Sequence, residues 1–196
     1  NLNRPNANGE TCQQIFNGTH QYALINPGSD SVITLSDPIN GESGLRTVTF
    51  TAAELDCYHV SVPMNGPMLA QHAGQEVVAT PANGAIFGLG APVVSRLPAN
   101  YAEIDVKMEQ VALEEELAGL LGRPIDGPIE LPPAIDLSTG AGQSWAKLLR
   151  LLRDELAYAK SLFFEPLIAE QLRSSLFSGF LLSVPHRYHE ELTTPA

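Results

Sequence analysis

Five histidines, His20, His59, His72, His186 and His189, are the first residues to test for chemistry. No two of them stand two residues apart, and no His-Glu-x-x-His occurs. Neither a strand-borne His-x-His ligand pair nor a zinc-protease helix is therefore written here. His186 and His189 would share a helix face only if the helix ran through Pro185, so a capping or surface role is expected of them. Ser144-Trp145-Ala146-Lys147 reads formally as Ser-x-x-Lys, an acylation nucleophile with its lysine. Its partner motifs, Ser-Asp-Asn and Lys-Thr-Gly, are missing, and Ser144 stands where a helix N-cap belongs. Gly88-Leu89-Gly90 lacks the third glycine and the helix of a dinucleotide loop, and neither a Walker sequence nor Gly-x-Ser-x-Gly is present. No catalytic residue, metal ligand or cofactor is expected, and the chain is not expected to be an enzyme. Cys12 and Cys57 fit no zinc or CxxC spacing. They are expected to be reduced and structural, with a bridge between them left open.

The remaining chemistry is binding, and it needs elements that can enclose a ligand. Short β-branched or aromatic runs recur: Tyr22–Ile25, Ser31–Leu35, Leu45–Phe50, Cys57–Val62, Gln75–Ala79, Ala85–Leu89 and Ala102–Met108. Turn-formers such as Asn26-Pro27-Gly28, Asn40-Gly41, Asn65-Gly66-Pro67 and Asn83-Gly84 separate them. Strands at near-regular spacing without intervening helices predict an antiparallel sandwich or barrel. A small barrel can hold one ligand among inward side chains. The candidate effector-binding residues are Tyr22, Arg46, Tyr58, His59, Met64, His72 and Phe87. Arg46 suits a carboxylate or phosphate, because its guanidinium offers paired donors, and equally suits a solvated outer face. Alternation places Tyr58, Val60 and Val62 on one face and His59 and Ser61 on the other, without saying which points inward.

After Met108 the apolar period changes from two to 3.6 residues. Glu109–Leu121 predicts a helix stopped by Gly122 and Pro124, with acids in its first turns. A proline-rich connection follows, then a helix from near Ser144 towards Phe164, and a third opened by Pro166 and halted by Pro185. Two adjacent apolar helices joined by a short turn should pack antiparallel. The fold class is α+β. The net charge of −11, with only 11 Lys and Arg, argues against these residues binding DNA alone. No run of 18 apolar residues predicts a membrane span. The start, Asn1-Leu2-Asn3-Arg4-Pro5, has neither an initiator Met nor an apolar signal core, and a truncated or processed N-terminus is expected.

Leu181-Leu182-Ser183-Val184-Pro185-His186-Arg187-Tyr188, after its apolar helix, closely resembles the end of the regulatory domain in AraC-type transcription regulators. Tyr58–Gly66 resembles that family's central strand and turn, and Gln71–Gly84 its next hairpin. The resemblance implies an N-terminal arm and cupin-like β-barrel over residues 1–108, then a helical dimerisation region over 109–196. A small-molecule effector would occupy the barrel. A homodimer would form through the C-terminal helices, with Leu148, Leu152, Leu156, Leu172, Phe177 and Phe180 as candidate contacts; the same helices could instead pack on the barrel as core. DNA would be bound only through a helix-turn-helix domain absent from this chain, in the cytoplasm and without a membrane. The competing reading is a cupin-fold, metal-dependent enzyme using His59 and His72.

Overall fold

The structure, a computed structural model, describes residues 33–36, 45–50, 57–98, 101–156, 158 and 160–194. The strands are β1 (Ile33–Ser36), β2 (Leu45–Phe50), β3 (Cys57–Asn65), β4 (Met68–His72), β5 (Gln75–Ala79), β6 (Asn83–Phe87), β7 (Val93–Pro98), β8 (Ala102–Glu109) and β9 (Ala134–Asp136). They form a five-stranded sheet, β1-β2-β7-β4-β5, and a four-stranded sheet, β8-β3-β6-β9. Every pairing is antiparallel. The helices are α1 (Gln110–Leu121), α2 (Gly140–Leu156), α3 (Pro166–Leu181) and the short α4 (His189–Thr193), with a 3-10 turn at Leu162–Phe164 before α3. The α+β class is thus realised as two antiparallel sheets with helices after β8, β9 returning to the four-stranded sheet between α1 and α2.

Three layers follow from what each strand face covers. Cys57, Ala85 and Phe87 of the four-stranded sheet meet Met68, Ala70, Ala79 and Val93 of the other in one buried cluster. On the opposite face of the same sheet, Tyr58, Val60, Val62, Ile86, Val106 and Met108 pack with the helices in a second, larger cluster. The middle sheet is covered on both sides, which is why β3 is buried continuously from Cys57 to Pro63.

Local chemistry explains most element ends. The β4–β5 hairpin turns through Ala73 and Gly74, at φ 49° and 77°, as a two-residue connection with left-handed central residues requires. Gly122 closes α1 in the left-handed conformation at φ 67°, as expected from its place before Pro124. The first turn of α1, however, holds no acid. Its glutamates come later and tie layers together: Gln110 and Tyr58 donate to Glu114, and Ser174 and Ser178 donate to Glu116. The second helix begins at Gly140, four residues before the expected cap, and Ser144 donates from inside it to the Gly140 carbonyl. Gly142 shows why it must be glycine: a Cβ there would lie 1.9 Å from the Asp136 carbonyl oxygen. Trp145 Nε1 donates to the Leu176 carbonyl at 2.9 Å, fastening α2 to α3.

Candidate functional site

The strand period decides which side chains enter the space between the sheets. On β3 these are Cys57, His59 and Ser61, because Tyr58, Val60 and Val62 belong to the helical side. On β8, Ile104, Val106 and Met108 pack with the helices, leaving Glu103, Asp105 and Lys107 on the opposite face. Ser61 stands opposite Asp105, and His59 opposite Lys107, in the β3–β8 register. Polar side chains from neighbouring strands therefore meet where a simple core would hold apolar ones.

They meet as a connected chain. Cys57 Sγ lies 3.1 Å from His59 Nε2, and His59 Nδ1 lies 3.3 Å from Asp105 Oδ2. Ser61 Oγ donates to the other Asp105 oxygen at 3.2 Å, and Tyr101 donates its hydroxyl to Glu103 at 2.8 Å. Burial by itself would lower the His59 pKa. The Asp105 charge, with hydrogen bonds to Asp105 and Cys57, outweighs burial and pushes it up to about 10. His59 is consequently an imidazolium at neutral pH. Burial, then the neighbouring Asp105 charge, pushes Glu103 up to about 7.

His72 completes the edge of this interior in a different state. Its Nε2 accepts from the Gly88 N–H at 3.0 Å, and its Nδ1 donates to the Pro92 carbonyl at 3.3 Å. Both ring nitrogens clasp the β6–β7 turn. Burial, chiefly, holds its pKa below the ordinary histidine value, so the ring is neutral. It meets the edge of Phe87 at a centroid distance of 5.6 Å. Among the described residues no group of three or more His, Cys, Asp or Glu side chains is arranged to hold a metal.

Of the seven pocket candidates, His59, His72 and Phe87 lie together at the inter-sheet interior. Tyr58 and Met64 face the other way. Tyr58 accepts from the Ile129 N–H at 2.9 Å and donates to Glu114, with its pKa pushed up to about 12 chiefly by burial. Met64 Sδ receives Arg153 Nη1 from α2 at 3.6 Å. Tyr22 lies outside the described residues; Arg46 is placed on β2, opposite Leu97, and its side chain is not described. Cys57, Ser61, Tyr101, Glu103 and Asp105 were not among the candidates. Their signal was the polar–apolar alternation of Glu103-Ile104-Asp105-Val106-Lys107-Met108 beside that of β3.

The six expected dimer contacts are mostly spent inside the chain. Leu152, Phe177 and Phe180 are buried in the helix–sheet core, with Leu148 and Leu172 packed against it and Leu156 half-buried. Exposed apolar side chains lie elsewhere, at Leu151, Tyr158, Leu162, Phe164 and Leu167, where α2, the 3-10 turn and α3 meet. At the far end of the helices a separate groove of about 270 Å³ is lined by Leu120, Leu121, Leu182, Glu191 and Leu192. His186 caps the end of α3, its Nε2 donating to the Leu181 carbonyl while Nδ1 accepts from the Tyr188 N–H.

A family model described as an AraC-binding-like domain matches residues 13–182. A probable thc operon regulatory protein of Rhodococcus erythropolis is 30% identical over 149 residues, which are 74% of this chain and 45% of that protein. The chain thus spans under half the length of that curated relative. The crystal structure of the AraC-like transcriptional activator CuxR is similar with a TM-score of 0.49 at 14% identity, over 78% of this chain and 63% of that one. A cupin-2 domain from Rhodospirillum rubrum aligns with a TM-score of 0.24 at 16% identity, over 76% of this chain and 94% of that one.

Proposed function

The chain belongs to the AraC-binding-like domain family, and from that premise we propose that it is the effector-sensing and dimerisation part of an AraC-type transcription regulator. A small molecule enters between the sheets, against Phe87, Met68 and Val93, and is oriented by the Tyr101–Glu103 and Ser61–Asp105–His59 groups. The observation that carries this reading is that polar chain inside an otherwise apolar interior. Folding alone gains little from a buried ion pair compared with apolar packing, whereas a binding site needs a few fixed polar groups among apolar ones. The DNA reader would lie in a helix-turn-helix domain outside this chain, acting in the cytoplasm. A formal charge of −11 suits a domain that leaves phosphate contacts to another. Among the described residues no helix is long and apolar enough to cross a membrane.

The test is ligand-dependent melting of this domain across a panel of small metabolites, followed by promoter output of the full regulator. A true effector at a hundred times its Kd stabilises the fold by about 2.7 kcal/mol. Asp105→Asn and Phe87→Ala should each weaken that shift and the transcriptional response together. If the response survives both substitutions unchanged, the effector is not read between the sheets. The metal-enzyme alternative predicts a stoichiometric metal in the purified protein, lost on changing His59 and His72. Both nitrogens of His72 are already engaged by backbone.

Dimerisation is proposed through Leu162, Phe164 and Leu167 rather than through the buried Phe177 and Phe180. Leu162 and Leu167 are 70% and 72% exposed at the junction of α2 and α3. The double change Leu162→Glu and Leu167→Glu is expected to weaken self-association at least thirtyfold, the equivalent of about 2 kcal/mol. The fold itself should be unaffected. Sedimentation across a concentration series reads this; an unaltered dimer in the double variant rules the seam out.

A further inference from the structure

We propose that Cys57 is a covalent capture site for small uncharged electrophiles of the α,β-unsaturated carbonyl class, its sulfur activated through His59 by Asp105. The geometry is that of a nucleophile, an imidazolium and an orienting carboxylate in series: 3.1 Å from sulfur to Nε2, and 3.3 Å from Nδ1 to the carboxylate. Asp105 is itself fixed by Ser61, and the ring cannot turn without losing its contacts to both Asp105 and Cys57. A thiol buried among apolar groups alone is inert, and reactive cysteines are those paired with a cationic or basic neighbour. Cys57 is fully buried, but its sulfur faces an imidazole that Asp105 keeps charged. The apolar side chains packed in the same cluster as Cys57, among them Met68, Ala70, Phe87 and Val93, favour an uncharged reagent. The charged groups around the pair are Asp105, Lys107 and Glu103 from β8, with the neutral His72 from β4. This chemistry does not depend on the transcriptional reading, although an effector space between the sheets would be its route of entry.

The addition is balanced within the site. The sulfur lone pair forms the C–S bond to the β-carbon, and the π pair of the C=C bond moves to the α-carbon. The sulfur enters as the thiolate of a thiolate–imidazolium pair, so that carbon takes the Nε2 proton of the imidazolium and the ring is left neutral. No bond to a leaving group breaks, and no oxidant is required. Nothing in the step turns over: one sulfur takes one molecule.

The experiment uses the Cys12→Ser protein, in which Cys57 is the sole remaining thiol, since the chain has two cysteines. Acrylamide, a small uncharged acceptor, is added at neutral pH and the adduct followed by intact mass, in the native protein and in urea. Capture predicts that native Cys57 reacts faster than the same thiol in the unfolded chain. His59→Gln should slow the native reaction by about a hundredfold, and Asp105→Asn by less. Circular dichroism checks that each variant is folded; if His59→Gln is not, Asp105→Asn and the native-to-urea ratio decide. Modification only on unfolding would overturn the proposal by making Cys57 a structural thiol. A native rate indifferent to the histidine and aspartate changes would overturn the relay equally.

Discussion

Replacing Asp105 with alanine is expected to destabilise the folded chain by about 3 kcal/mol near neutral pH, the lower end of what breaking a buried ion pair costs. The lower end applies because the Asp105 side chain keeps 19% exposure, against 9% for His59. The pH dependence distinguishes this from ordinary loss of packing. In the folded state the His59 pKa is raised to about 10, because the Asp105 charge outweighs burial. A raised pKa gives stability that is fully present below the unfolded value of about 6.5 and lost as pH climbs through the folded one. Glu103 is raised as well, to about 7, so its contribution fades between about pH 4.5 and 7. Both groups make the wild-type chain less stable as pH rises, Glu103 in the acid window and His59 in the alkaline one. Urea unfolding near pH 6, 8 and 10 reads this directly. Asp105→Ala should be weakest relative to wild type near pH 6 and approach it near pH 10. Parallel curves for the two proteins would mean that the pair contributes nothing through charge.

That pair was not legible in the sequence, although each of its strands was. The alternation of Cys57–Val62 placed His59 and Ser61 on one face and Tyr58, Val60 and Val62 on the other. It could not orient the strand, because a middle sheet covered on both sides buries both faces, and β3 has no exposed face to mark the outside. The same ambiguity joined Tyr58 and Met64 to His59 among the pocket candidates, whereas they touch helical segments or the loop after them. Asp105 is 46 residues from His59 in the chain, and only the β3–β8 register brings them together. Strands β4 and β7 escaped for compositional reasons. Met68-Leu69-Ala70-Gln71-His72 has no β-branched residue, and Val93–Pro98 ends in a proline. Three-residue β9 follows two prolines and is held to β6 by pairing at Asn83, Gly84 and Ala85. Gly122 and Pro166 marked their helix ends because they act locally, whereas α3 closes at Leu181, ahead of Pro185, and α2 runs Gly140–Leu156 instead of from near Ser144 towards Phe164.

Phe180→Ala is expected to be the most damaging single truncation in the helical layer, costing about 3–5 kcal/mol. Helical spacing identifies Phe180 as part of an apolar face, but spacing does not say what covers that face. The cover is internal: Phe180 is fully buried and its ring lies 5.5 Å from that of Trp145. Gly179 brings the helix close, since a Cβ there would meet Trp145 Cδ1 at 3.1 Å, and little slack remains to refill the space of a missing ring. Leu167, 72% exposed on the first turn of the same helix, provides the contrast. Leu167→Ala should change unimolecular stability by no more than about 0.5 kcal/mol, while weakening self-association if the seam lies there. The two variants therefore separate core from interface through concentration dependence. A core residue lowers the urea midpoint equally at every protein concentration, whereas an interface residue does so only where dimer is populated. Should the Phe180→Ala loss vanish on dilution, the buried face of α3 would belong to a partner chain and the three-layer core would have to be redrawn without it.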